Sequence, residues 1–192
     1  NVNANTSFTM NKLRWGITHY ASIQAVDNGF LGGPFSDEIQ FVPVAGQAAK
    51  LKGRTVSASS LLLTWERGNG DGIIIFAKEG NIADHAYPQD LTTYFANPVF
   101  GEGSPLGSTG WYCVYKGKND STIVNGLAST KNYIFHIIEY QGLSGEEVYC
   151  QIEIPDNCGV FSTGIFSQKT FNDIPGNNDN IYSGSIAWGD YD

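Results

Sequence analysis

Short runs of β-branched and aromatic residues recur along the chain, and turn sequences separate them. The turns RGNGDG, GKND and GLSG supply Gly and Asn where the backbone requires positive φ. No window of ~11 residues keeps a 3.6-residue period, so no long helix is predicted. Short strands at a spacing of about ten residues are typical of an all-β sandwich. The predicted strands lie at 60–66, 72–79, 110–117, 121–127, 132–141 and 147–155.

One long connection, residues 80–110, interrupts this pattern with three prolines and few strand signals. It is rich in aromatic residues, and Trp111 follows it. Two interpretations stay open: the aromatic rings cover the edge of the sandwich, or they form a platform that stacks on sugar rings. The residues that would form such a glycan-binding or protein-binding surface are Tyr87, Tyr94, Phe95 and Trp111.

Composition and charge exclude several classes of partner. Hydrophobic residues make up 41% of the 192 residues, which indicates a globular chain. Nineteen acidic against eleven basic residues give a net charge of −8, which disfavours nucleic acid and anionic membranes. No apolar run approaches the ~20 residues that span a bilayer, so no membrane insertion is predicted.

Two segments repeat the same spacing. In residues 13–29 and 127–142, a Leu precedes a ring-bearing residue by six positions, and that residue opens a long strand. The pairs are Leu13 with His19, and Leu127 with Tyr133. This spacing resembles the corner of a fibronectin type III domain, where a tyrosine hydroxyl bonds to the upstream backbone.

Residues 43–155 resemble a fibronectin type III-like module of large exported proteins of the Bacteroidetes type, which use type IX secretion. The stretches that carry the resemblance are LLLTWERGNGDGIIIFAKEG, YPQDLTTYFANPVFGEGSPLG, WYCVYKG and TIVNGLASTKNYIFHIIEYQG. The resemblance implies an all-β, immunoglobulin-like sandwich. Residues 1–42 are similar to the last strands of a second such sandwich, and residues 156–184 are expected to be a linker.

The end of the sequence, residues 185–192, reads SIAWGDYD and is similar to the start of an FG-GAP/VCBS repeat. The resemblance implies that Asp190 and Asp192 are the first two ligand positions of a calcium loop. Calcium prefers six to eight oxygen ligands, so two aspartates do not make a site. The remaining ligands would follow residue 192, and we expect the chain to belong to a longer modular protein.

No pattern indicates catalysis, so the chain is not expected to be an enzyme. His19, His85 and His136 have no second ligand at i+2 or i+4, and no Gly-x-Ser-x-Gly elbow is present. The pairs Asp37–Glu38 and Glu146–Glu147 fall at turns or strand starts, where charge protects sheet edges.

Cysteine and glycosylation patterns add little to this picture. A turn between Cys150 and Cys158 would allow a disulfide, but the spacing does not require one. Ser121 lies in the sequence DST, which resembles the O-glycosylation motif of Bacteroidetes exported proteins.

The sequence therefore predicts a non-catalytic structural or interaction module of a secreted or cell-surface multidomain protein. It would space or dock neighbouring domains of the same chain or another cell-surface protein, with adhesion as one role. No cofactor is expected within it other than calcium in the incomplete repeat. The alternatives are a glycan- or protein-binding module that uses loop 80–110, and an accessory part of an enzyme whose catalytic domain lies elsewhere.

Overall fold

The computed structural model describes residues 7, 9, 10, 13–129 and 131–164. These residues form twelve β-strands and one short 3-10 helix, Pro155–Asn157, but no α-helix. The strands are β1 His19–Ala21, β2 Gln24–Val26, β3 Gly32–Phe35, β4 Ile39–Phe41, β5 Ala49–Ser57, β6 Ser60–Glu66, β7 Gly72–Glu79, β8 Tyr112–Gly117, β9 Ser121–Val124, β10 Asn132–Gln141, β11 Val148–Tyr149 and β12 Cys158–Ser162.

Strands β5 to β12 form two antiparallel sheets. One sheet has the order β5–β6–β9, and the other has the order β11–β10–β7–β8. Strand β12 pairs with the first half of β10, on the residues from Asn132 to His136. A three-stranded sheet facing a sheet with two central apolar strands is the arrangement of a fibronectin type III-like sandwich. The predicted fold class is confirmed.

The core between the two sheets is built from alternating residues of the strands. Leu61, Leu63 and Trp65 of β6 face Ile73 and Ile75 of β7, and all five side chains are buried. Such alternation follows from the period of two in a β-strand, which sends every second side chain to the same face.

Strands β7 and β10 are buried on their second face as well, which explains why both read as continuous apolar runs. Ile74 and Phe76 point away from the inter-sheet core and pack against residues of segment 80–111. That long connection is therefore a third layer over the sheet. Its buried members are Ala86, Tyr94, Leu106 and Trp111.

The predicted tyrosine corner is present. The Tyr133 hydroxyl accepts a hydrogen bond of 2.9 Å from the backbone N–H of Ala128, five residues upstream. Leu127, beside it, is buried in the core. This bond fixes the chain where it crosses from β9 to β10.

Strand bounds depart most from the sequence prediction in three places. Strand β5 was not predicted, because Lys and Arg on its exposed face and Gly53 weaken its β signal. The predicted strand at 147–155 is reduced to β11, Val148–Tyr149. Strand β12 lies beyond residue 155, so the sandwich extends into the segment that was expected to be a linker.

Ahead of the sandwich lies one long antiparallel hairpin, the N-terminal hairpin, made of β1 to β4. Strand β1 pairs with β4, and β2 pairs with β3. The Asp27 carboxylate accepts hydrogen bonds from the N–H groups of Gly29 and Leu31 and so shapes the turn at its tip. The hairpin does not close into a sandwich by itself within the described residues.

Candidate functional site at the base of the N-terminal hairpin

The segment that joins the hairpin to the sandwich is held by the turn RGNGDG. Gly46 N–H donates to Asn69 Oδ1 at 2.7 Å, and the Asn69 amide donates to the Val44 carbonyl at 3.1 Å. The backbone N–H of Asn69 returns a bond to the Gly46 carbonyl at 3.2 Å. The side chain and backbone of Asn69 thus make three hydrogen bonds, which fix the connection against the sandwich.

Gln47 fastens the same connection to the far edge of the sheet. Its Oε1 accepts hydrogen bonds from the N–H groups of Glu139 at 2.7 Å and Ala48 at 3.1 Å. Its Nε2 donates to the carbonyls of Cys150 at 2.9 Å and Ile152 at 3.1 Å. One side chain therefore bridges β10 to the extended segment that follows β11, where the ladder of backbone bonds has ended.

A buried ion pair shapes the turn that holds Asn69. The Glu139 carboxylate is fully buried and lies 3.2 Å from Arg67 Nε. It also accepts hydrogen bonds from the N–H groups of Gly68 at 2.6 Å and Gly70 at 3.1 Å. A Cβ at Gly70 would lie 2.5 Å from this carboxylate, so only glycine fits there. The turn is folded around an anion that belongs to the protein itself.

Gln141 attaches the base of the hairpin. Its Oε1 accepts the backbone N–H of Trp15 at 3.0 Å, and its Nε2 donates to the Leu13 carbonyl at 3.0 Å. The Gly16 N–H adds a bond of 3.0 Å to the Pro43 carbonyl. The two ends of the hairpin are therefore tied to each other and to β10.

A cleft of about 700 Å³ lies beside this attachment. One wall holds a buried ion pair in which Lys116 Nζ is 2.6 Å from Glu147 Oε1 and 5.1 Å above the Tyr140 ring. Burial would raise the pKa of Glu147, but hydrogen bonds from Lys116, Thr93 and Gly145 outweigh it and lower that pKa. The Glu147 carboxylate is therefore ionised, and these hydrogen bonds engage its oxygens. The cleft is lined by Arg14, Trp15, Ile17, Asp71, Lys116, Lys118, Tyr140, Gln141, Gly142, Leu143, Ser144, Glu146, Glu147 and Val148.

His136 has a structural environment. His136 is buried and accepts the Ala86 N–H on Nδ1 at 3.0 Å, while its Nε2 lies 3.1 Å from the Asn157 amide. Burial, followed by the neighbouring His85, lowers the pKa of His136 to about 4, so the ring is neutral at pH 7. It serves as an anchor between loop 80–110, β10 and the 3-10 helix. No group of three metal-ligating side chains occurs in the described part of the chain.

All three cysteines are free thiols. The pair Cys150 and Cys158, for which the sequence left a disulfide open, is therefore not bridged here. Burial raises the pKa of Cys113 to about 12, which keeps this thiol protonated and unreactive. The Cys158 thiol lies 3.1 Å from the Asp84 carbonyl and helps to hold the start of loop 80–110.

The predicted aromatic platform is not assembled on the surface. Tyr94 and Trp111 are buried in the layer over β7 and β10, where a sugar cannot reach them. Tyr87 and Phe95 are exposed, and the Tyr87 hydroxyl donates to the Glu153 carboxylate. Trp111 is buried because it covers an apolar sheet face that no other layer covers. The strand pattern of the sequence alone does not reveal this covering layer.

Two further predicted sites have different outcomes. Ser121 opens β9, is half-buried, and lies 3.4 Å from the Asp120 carboxylate. Asp190 and Asp192, with the whole segment 185–192, lie outside the described residues, so the calcium loop stays a prediction.

Comparisons with known proteins identify no family. No family model matches the chain, and no curated protein sequence matches it. A similar solved structure is the rat CD45 extracellular region, domains d3–d4, at 16% identity, covering 78% of this chain and 70% of that one. Its TM-score of 0.35 is too low to support any functional transfer. The fold assignment depends on the sheet order and the tyrosine corner described above.

Proposed function

We propose that this chain is a non-catalytic module that holds a neighbouring β-structure in a fixed position, within a secreted or cell-surface protein. The observation that carries the proposal is the attachment of the N-terminal hairpin. Gln141 holds its base, while Gln47 and Asn69 hold the connection that leaves it. Relative motion between modules is the default unless contacts at their junction restrict it, and these bonds are contacts of that kind.

Polar geometry also supports a structural role over a catalytic one. The buried carboxylates Glu139 and Glu147 are each paired with a cation and with backbone N–H groups, so both are engaged in contacts within the protein. No helix in the described residues is long and apolar enough to cross a membrane. A docking or adhesion role outside the cell remains part of the proposal.

The glycan-binding alternative is weaker on this structure. Two of its four aromatic residues are buried, which leaves Tyr87 and Phe95. Removing both rings in a Tyr87→Ala, Phe95→Ala variant tests what remains of it. Glycan-array binding that disappears in this variant and persists in wild type would restore the alternative.

Backbone nuclear magnetic relaxation tests the spacing function. In wild type, the amides of the N-terminal hairpin should tumble with the correlation time of the sandwich. Gln141→Ala removes both bonds to the base of the hairpin and should shorten the correlation time of the hairpin amides alone. Gln40→Ala, an exposed glutamine on the hairpin itself, is the matched control and should change nothing. A wild-type hairpin that already tumbles independently would refute the proposal.

A further inference from the structure

The N-terminal hairpin exposes an unusual amount of apolar surface. Phe30 is 90% exposed, Ile23 76% and Phe35 65%. A two-stranded hairpin without a second layer is marginally stable in water, and apolar patches of this kind mark surfaces that another element covers. The large apolar side chains exposed along it are Ile17, Tyr20, Ile23, Val26, Phe30, Leu31, Phe35, Ile39 and Val42.

This hairpin matches the hairpin β10–β12 of the sandwich in register. His19 pairs with Phe41, as Tyr133 pairs with Phe161. Two residues further along the strand, Ala21 pairs with Ile39. His19 and Tyr133 each lie six residues after the repeated Leu, Leu13 or Leu127.

The corner bond of Tyr133 also has a counterpart in the N-terminal hairpin. The His19 ring nitrogen lies 3.3 Å from the Arg14 carbonyl, five residues upstream, as the Tyr133 hydroxyl bonds to the backbone five residues upstream. His19 also stacks on Phe41 with ring centroids 5.9 Å apart. The N-terminal hairpin is therefore built as the closing hairpin of a second sandwich.

In the complete sandwich, the sheet β5–β6–β9 covers the corresponding face. Tyr133 and Phe135 are buried with residues of β6. Strand β5 approaches so closely at Gly53 that an added Cβ would lie 2.5 Å from the Phe161 ring. The covering sheet is thus apolar on its inner face and comes within contact distance of the closing strand.

We propose that a three-stranded antiparallel sheet, from a part of the same polypeptide upstream of the given sequence, covers the face that carries Ile39, which is 61% exposed, and the half-buried His19, Ala21 and Phe41. Chain order supports this source, because β5, β6 and β9 all precede β10 in the complete sandwich. The inference deepens the proposed spacing function and rests on it, since it names what the junction positions.

Amide hydrogen exchange tests the inference on two polypeptides: residues 1–192, and the same chain extended N-terminally by the residues that precede it in its natural polypeptide. We expect the amides of 19–41 to exchange at least about tenfold more slowly in the extended chain. Unchanged exchange, or an upstream sequence without three strand segments, would overturn the inference. Protection that appears in residues 1–192 alone and grows with concentration would also overturn it, by identifying a second copy as the cover.

A pair of adjacent substitutions tests which face is covered. Ile39 lies on the face of His19 and Phe41, and Gln40 points to the opposite face because side chains alternate along a strand. In the extended chain, Ile39→Asp should abolish the added protection and Gln40→Asp should preserve it. The reverse result would contradict the assignment. A hairpin that is protected yet tumbles independently would refute the spacing function alone, and one that is fixed yet unprotected would refute this inference alone.

Discussion

Single polar residues carry much of the structure at the base of the hairpin. Gln47 uses both its oxygen and its amide group twice, and Glu139 accepts from Arg67 and from two backbone N–H groups. Buried polar groups of this kind stabilise only when every partner is present, because an unpaired group loses its hydration without compensation. Substitutions here should therefore cost far more than similar changes on the surface.

Arg67→Ala should destabilise the protein by about 3 kcal/mol, because it leaves the fully buried Glu139 carboxylate without its cation. The exposed pair Lys50–Glu66, at 2.8 Å, is the matched comparison. Lys50→Ala should leave the unfolding midpoint nearly unchanged, since water screens exposed charges. Urea unfolding midpoints measure both changes. Equal effects of the two substitutions would show that Glu139 is not the buried anion described here.

Tyr133→Phe should lower the free energy of unfolding by about 1 to 2 kcal/mol. The substitution keeps the ring in the core and removes only the acceptor for the Ala128 N–H. Tyr20→Phe, which removes an exposed hydroxyl from the hairpin, should be neutral in the same measurement. An unchanged stability of Tyr133→Phe would mean that the corner bond does not contribute.

At the level of elements, long apolar strands were predictable and short or half-exposed strands were not. The predicted bounds of β6, β7 and β10 agree with the structure, because each combines β-branched residues with flanking turn residues. Strand β12 has only five residues, and its pairing with β10 spans a loop that no local pattern encodes. For loop 80–110, the structure agrees with the interpretation in which aromatic rings cover the sandwich, although Tyr94 and Trp111 cover a sheet face and not only its edge.

Trp111→Ala should destabilise the protein by about 3 to 5 kcal/mol, because it opens a cavity over β7 and β10. Phe95→Ala, in the same loop, should cost about 0.5 kcal/mol or less, since that ring is exposed. Thermal unfolding of the two variants distinguishes a loop whose aromatic core stabilises the fold from a loop whose aromatic residues serve only to bind a ligand. A Trp111→Ala protein of wild-type stability would contradict the buried third layer.

His136 makes the anchoring of loop 80–110 dependent on pH. Its pKa is lowered from 6.5 to about 4 in the folded protein, so the unfolded chain binds the extra proton first as pH falls. The stabilisation is complete above pH 6.5 and is lost between 6.5 and 4, with a total of about 3 kcal/mol or less. The neighbouring groups His85, Asp84 and Glu153 are present in both wild type and His136→Gln, so the difference between the two proteins isolates His136. A His136→Gln protein that loses stability as steeply as wild type over this range would contradict the account.

For the whole molecule, the fold could be predicted and the junction could not. Strand spacing and the repeated Leu-to-ring interval point to a sandwich and to its corner residue, Tyr133. The junction depends on Gln141 meeting Trp15 and Leu13, residues 126 and 128 positions away along the chain. Glutamine is common on protein surfaces, so no local pattern marks it as an attachment point.

Residual dipolar couplings of wild-type residues 1–192 test the central claim most directly, because they report the orientation of each amide in a common frame. If the junction is rigid, a single alignment tensor should fit the amides of β1 to β4 together with those of β5 to β12. The hydrogen bonds of Gln47, Asn69 and Gln141 are the reason for this expectation. Two different tensors, or couplings in the hairpin averaged towards zero, would show that the hairpin moves freely and would contradict the proposed spacing function.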